Sequence, residues 1–168
     1  MLAIVVLAGI AVLAAALEPA LPPMAGQARA SDGDSLRMGE TRIRILGVDA
    51  PELAQQCDTA EGKQWPCGRV ARDRMAALLA SAPVDCQPDG TDQYGRVLAS
   101  CSVQGRDLGA TMVEEGLAIS SSDYWREEAE AKKHGRGIWV GGFDTPRQWR
   151  QDNARPSGAL DWIWGLVP

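Results

Sequence analysis

The run Thr41–Val48, TRIRILGV, alternates polar with β-branched or apolar residues before becoming apolar, and Pro51 ends any ladder that it joins. A chain organised around such a run must bury one face of a sheet. Along a strand Arg44, Leu46 and Val48 share one face and Ile45, Gly47 and Asp49 the other, unless a bulge intervenes, and Gly47 allows one. The stop at Pro51 then leaves Asp49 and Glu52 at a rim instead of in a wall.

Shorter signals surround this strand. Residues 27–31 and 35–38 alternate weakly, and Gly39-Glu40 supplies a tight turn into Thr41. A helix is predicted over 68–80, with Val70, Met75, Leu78 and Leu79 on roughly one face, and Pro83 helps to close it. Val84–Gln87 and Arg96–Val103 read as strands joined by the polar stretch PDGTDQYG. Asp107 is expected to cap a short helix reaching Gly116, with Leu108, Met112 and Val113 inward, and Asp123 to start a charged helix, Tyr124–His134, that Gly135 ends. The order β-β-β-α-β-β-α-α gives a mainly β, α+β chain: a five-stranded OB-type barrel with about three helices.

The ends are of other kinds. Residues 2–17, LAIVVLAGIAVLAAAL, are uninterruptedly apolar, the pattern of a signal peptide or a short membrane anchor, and are expected as a hydrophobic helix ahead of the barrel. Ala14-Ala15-Ala16 and Ala28-Arg29-Ala30 both read as A-x-A cleavage sites, and the second is discounted because it lies against the first strand. The division is thus 1–17 leader, 18–26 Pro-rich linker, 27–143 globular domain and 144–168 tail. The tail carries Trp149, Trp162 and Trp164 among prolines and glycines. It is expected to be only partly ordered, its tryptophans packing on the domain in preference to touching a membrane.

Cys57, Cys67, Cys86 and Cys101 have no zinc-like spacing, so disulfides fit better than metal. Three pairings are open. Cys57–Cys67 with Cys86–Cys101 is favoured, since each pair brackets one loop or hairpin. Leader and disulfides together imply export, with the domain periplasmic, extracellular or anchored on the extracytoplasmic side, and the membrane as a partner if residues 2–17 are kept.

Composition narrows the chemistry. A net charge of −5 argues against coating nucleic acid through a broad basic surface, and a single histidine, His134, removes HExxH helices and histidine-rich metal cages. Carboxylates and arginines remain. They gather in Asp32-Gly33-Asp34-Ser35, in Arg44 to Glu52, and in Asp92-Gln-Tyr94-Gly95-Arg96. Two carboxylates such as Asp34 and Asp49, with one backbone carbonyl, leave positions open for water and a phosphate oxygen on a calcium ion, which takes six to eight oxygens. Phosphodiester hydrolysis also needs an activated water, which Glu52 can supply, and cations on the transition state, which Arg44 and Arg96 can supply. Each group alone has a bland reading: Asp-Gly-Asp as a turn, Arg44 as a cross-strand partner, Glu52 as a solvated loop residue.

Together, and in this order, they resemble the staphylococcal-nuclease, or thermonuclease, family. The likeness runs from about Gln27 to Phe143 and includes D-G-D-[TS], R-x-x-x-[VI]-D-[TA]-P-E, D-x-Y-G-R and the later E-A-x-A-K-K…I-W of Glu128 to Trp139. The resemblance implies an OB barrel with three helices, and a calcium-dependent endonuclease cleaving the 5′ P–O bond of DNA or RNA to leave 3′-phosphates. It implies Asp34, Asp49 and the Ala50 carbonyl as calcium ligands, Glu52 as general base, Arg44 and Arg96 on the phosphate, and Tyr94 beside it. Where the family carries tyrosines after the second helix, this chain reads Ala118-Ile119-Ser120-Ser121-Ser122-Asp123, and Tyr124 or Trp125 is expected to substitute. A monomer acting on nucleic acid is expected. The competing reading is a non-catalytic OB module that binds an oligonucleotide or a protein partner.

Overall fold

The computed structural model describes residues 21–153 together with Ile4. The rest of the apolar leader, and Trp162 and Trp164 of the tail, lie outside the described residues. Among the described residues no helix is long and apolar enough to cross a membrane.

The architecture is mixed α+β. Strands β1 (Met24–Gly26), β2 (Arg29–Ala30), β3 (Ser35–Met38), β4 (Thr41–Ile45), β8 (Val84–Thr91) and β9 (Val97–Val103) form one sheet in the order β1-β8-β9-β4-β3-β2, with β10 (Arg106–Asp107) beside β9. Its pairs are antiparallel except β4 with β9, where Arg44 lies opposite Leu98. The two edges, β1 and β2, are separated in sequence only by Gln27 and Ala28. One short segment therefore serves both edges, and the sheet must curl toward itself. The strand expected over 27–31 is split for this reason, and pairing starts upstream of Gln27, within the Pro-rich linker: Met24 faces Cys86.

Alternation sets the interior. Ile43 and Ile45 on β4, Val84 and Cys86 on β8, and Ala99, Cys101 and Val103 on β9 point inward and are buried with Leu36. Helix α1 (Cys67–Leu79) covers this face with Ala71, Met75, Leu78 and Leu79; Val70, expected inward, is 39% exposed, because the helical stripe passes through its neighbour Ala71. Helix α2 (Leu108–Glu114) buries Leu108, Met112 and Val113, and the Asp107 carboxylate caps it by accepting from the Ala110 N–H at 2.8 Å. Asp123 does not cap α3 (Trp125–Lys133); Tyr124 stands there with φ +64° and no side-chain cap.

Two further expectations change. The strand read as Thr41–Val48 stops at Ile45, turns at Leu46-Gly47 and resumes as β5 (Val48–Asp49), which pairs with β11 (Ile119–Ser120). Gly47 has φ +75°, the left-handed region that glycine enters without a Cβ penalty. In the tail, expected to be partly ordered, Pro146–Asn153 forms α4 after a 3₁₀ turn at Gly137–Val140, so the described residues hold four α-helices against about three expected. Disulfides join Cys57 to Cys67 and Cys86 to Cys101, the favoured pairing. The first ties β6 (Cys57–Asp58), which pairs with β7 (Gln64–Trp65), to the start of α1.

Candidate active site

Asp34 ends the loop before β3, and Arg44 lies on β4, opposite Ser35. That register brings Arg44 Nη1 to 2.6 Å from Asp34 Oδ1. The turn at Gly47 then swings Asp49 back, so that Arg44 Nη2 donates to Asp49 Oδ1 at 3.0 Å. One planar fork thus spans two carboxylates, which a continuous strand would have turned to the opposite face from Arg44 in the case of Asp49. Asp34 is further held by the Ser35 hydroxyl (3.0 Å, to Oδ1) and the Ala50 N–H (2.9 Å, to Oδ2).

Glu52 follows Pro51 in an irregular segment. Its N–H donates to Gln55 Oε1 at 3.1 Å, and its carbonyl accepts from the Gln55 N–H at 2.7 Å. Arg96 comes from the turn entering β9, where the Asp92 carboxylate accepts from the Tyr94 and Arg96 N–H groups and from Arg96 Nε at 2.7 Å. Partial burial works against ionisation of Asp92, but these N–H groups prevail and hold its carboxyl below the usual range.

Arg42, Arg44, Glu52, Tyr94, Arg96 and Arg150 line a single cleft of about 610 Å³. Arg42 reaches Tyr94 by donating to its carbonyl at 2.8 Å, and the Arg96 guanidinium lies 5.7 Å from the Tyr94 ring centre. In a chain of net charge −5, positive side chains gather on this cleft, with Arg44, Arg96 and Arg150 each bonded to carboxylates. Arg44, Glu52, Tyr94 and Arg96 are thereby brought together, with Asp34 and Asp49 bonded to Arg44. Tyr124 is not part of the cleft wall: its hydroxyl donates to Asp107 at 3.2 Å, and its ring lies against Gly109. Burial, and then the Asp107 charge, raise its pKa.

Arg150 and Gln55 are the residues that sequence reasoning misses. Arg150, on α4, donates through Nη1 and Nη2 to the two oxygens of Asp49, each at 3.0 Å, and through Nη1 to Glu52 Oε1 at 2.8 Å. Gln55 is fully buried and links the Glu52 backbone to the Asp144 carbonyl, to which its Nε2 donates at 2.6 Å. No motif marks either residue. The pattern Thr145-Pro146-Arg147-Gln148 does signal the helix: Thr145 and Gln148 bond reciprocally across its first turn, with proline at the first helical position.

Whether this donor set suits a divalent cation depends on its charge and chemistry. Among the described residues no three His, Cys, Asp or Glu side chains converge as a metal cluster. The donors are the carboxylates of Asp34 and Asp49 and the neighbouring Ala50 peptide, all hard oxygens of the calcium type. Burial pushes the Asp34 carboxyl up to about 7, against the pull of Arg44 and with the help of Asp32. Asp49 is meanwhile gripped by both Arg44 and Arg150, and it is the hard-oxygen chemistry of the donors that suits a divalent cation drawing most of its oxygen shell from water and substrate.

Residues 42–141 match the domain family described as staphylococcal nuclease homologue. The chain is 35% identical over 127 residues to the succinoglycan biosynthesis protein ExoI of Rhizobium meliloti, covering 71% of this chain and 66% of that protein. It is 31% identical over 141 residues to the probable endonuclease LCL3 of Paracoccidioides brasiliensis, covering 69% of this chain and 40% of the other. With the probable staphylococcal-like nuclease CAN3 of Oryza sativa it shares 30% identity over 131 residues, 73% of this chain and 32% of the other. It therefore spans from about a third to just under two thirds of the length of these relatives.

Proposed function

The chain belongs to the staphylococcal nuclease family, and from that premise we propose that it is a calcium-dependent endonuclease that hydrolyses DNA or RNA to 3′-phosphate ends. The observation that carries the reading is the Arg44 fork, 2.6 Å from Asp34 and 3.0 Å from Asp49, in the same cleft as Glu52 and Arg96. A structural ion pair has no need of a general base and a second arginine beside it.

In this reading Asp34, Asp49 and the Ala50 carbonyl hold the calcium ion, which when bound neutralises charge on a phosphate oxygen. Glu52 accepts a proton from the attacking water as the water oxygen bonds to phosphorus and the bond to the 5′ oxygen breaks, that oxygen taking a proton from solvent. Arg44 and Arg96 donate to the equatorial oxygens, where negative charge grows. Tyr94, 65% exposed on the cleft rim, offers its ring to the nucleotide. Base stacking by Tyr124 is not part of the reading. We take the curled sheet to be of the OB type and, given the two disulfides, place the domain outside the cytoplasm.

The test is digestion of single-stranded DNA and of RNA, with calcium and with a chelator, by wild type and Glu52→Gln. Cleavage that needs calcium and falls by ~10³-fold or more in the variant is expected, in line with loss of the group that activates water. No cleavage of either polymer would favour the non-catalytic module.

A further inference from the structure

Arg150 lies outside the matched span, which ends at residue 141, yet its side chain lines the cleft and bonds Asp49 and Glu52. We propose that it is a positioning residue for Glu52, delivered by α4, and that the active site is incomplete without this helix. The inference rests on the nuclease reading for its kinetic consequences, though the contact itself does not.

Glu52 sits in an irregular segment after a proline, and nothing in the local chain fixes its side chain. Among the described residues Arg150 is the hydrogen-bond partner of the Glu52 carboxylate, through Nη1 to Oε1 at 2.8 Å. The same fork grips both oxygens of Asp49, whose side chain is only 11% exposed. Arg150 is therefore referenced to the floor of the site, and Glu52 is referenced to Arg150. The contact leaves Oε2 of Glu52 available to take a proton.

The geometry of α4 serves this contact. Pro146 is buried, the Thr145–Gln148 pair caps the first turn, and Gln55 bonds the Asp144 carbonyl just ahead of it. Gln55 also accepts from the Glu52 N–H. Backbone and side chain of Glu52 are thus both tied to the segment from Asp144 to Arg150, the first through Gln55 and the second through Arg150 itself. The Arg150–Glu52 pair is itself solvent-accessible, its side chains 43% and 33% exposed, so it contributes direction more than stability. A forked bond shared between two carboxylates has the directionality to aim one of them.

The experiment compares wild type, Arg150→Gln and Arg150→Lys in the full chain, with near-UV circular dichroism as a check on folding. Expected is a fall in kcat of about 10²-fold in Arg150→Gln, the scale for a misplaced reacting group, with KM for an oligonucleotide within about 2-fold of wild type. Lysine keeps the charge and loses the fork, so Arg150→Lys should recover only part of kcat. A second measurement needs no turnover: the 13C carboxyl resonance of Glu52 should move in Arg150→Gln. An unmoved resonance overturns the inference even if wild type cleaves nothing, whereas a moved resonance in an inactive wild type removes the nuclease reading and leaves the contact standing. A kcat that is unchanged while calcium binds ~10-fold more tightly overturns it as well, and would make Arg150 a competing cation.

Discussion

Asp34 is a carboxylic acid, 3% exposed, held against one arginine and beside a second acid. Burial outweighs the arginine, so its folded pKa, about 7, stands above the ordinary aspartate value of 3.8. Between those two values the folded protein keeps a proton that the unfolded chain has released. Its contribution to stability is therefore greatest at the acid end and is lost as pH rises toward about 7. In chelator, the melting temperature of wild type relative to Asp34→Asn should fall across this interval, as followed by circular dichroism. A difference that stays level would refute the assignment. Calcium should oppose the trend, because a dication beside the carboxyl favours its ionised form. The sequence makes Asp34, Arg44, Asp49 and Arg96 legible because they stand at fixed offsets from Gly, Pro and Tyr within short motifs. Arg150 is not legible, since its partner Asp49 is 101 residues away and no local spacing records the contact.

At the scale of elements, the decisive joint is between the Glu52 segment and the start of α1. A Cβ placed on Gly68 would lie 1.7 Å from the Glu52 carbonyl oxygen, so the helix and the loop approach as closely as backbone alone permits. Gly68→Ala must push the loop away or move the helix. We expect a loss of stability of about 1–3 kcal/mol, the usual cost of overpacking, together with a drop in activity out of proportion to it; denaturant melts and cleavage rates measured side by side decide the matter. Helix and strand types followed from period and capping in α1, α2, β8 and β9. The break at Leu46-Gly47 was marked only by Gly47, which allows a bulge, because periodicity registers alternation and is blind to the sign of φ. For α4 the capping residues were present, but the surrounding prolines and glycines read as tail.

For the molecule as a whole, the disulfides brace different things. Cys57–Cys67 fastens the stretch after Glu52 to α1, whereas Cys86–Cys101 joins strands already paired residue for residue. Replacing either pair by serine should cost ~3 kcal/mol, the loop-closure scale for spans of this size. Only the Cys57→Ser/Cys67→Ser variant should also slow cleavage. Equal kinetic effects from both would show that the first bridge has no special relation to the site. The curl of the sheet carries a different kind of consequence. Because β1 and β2 are halves of one short run, any processing protease that trims the chain after Ala30 removes both edges at once. The outer backbone of β8, paired with Met24–Gly26 in the intact protein, would then lie open as a template for a strand from another molecule. A cut before Met24 would leave that edge covered.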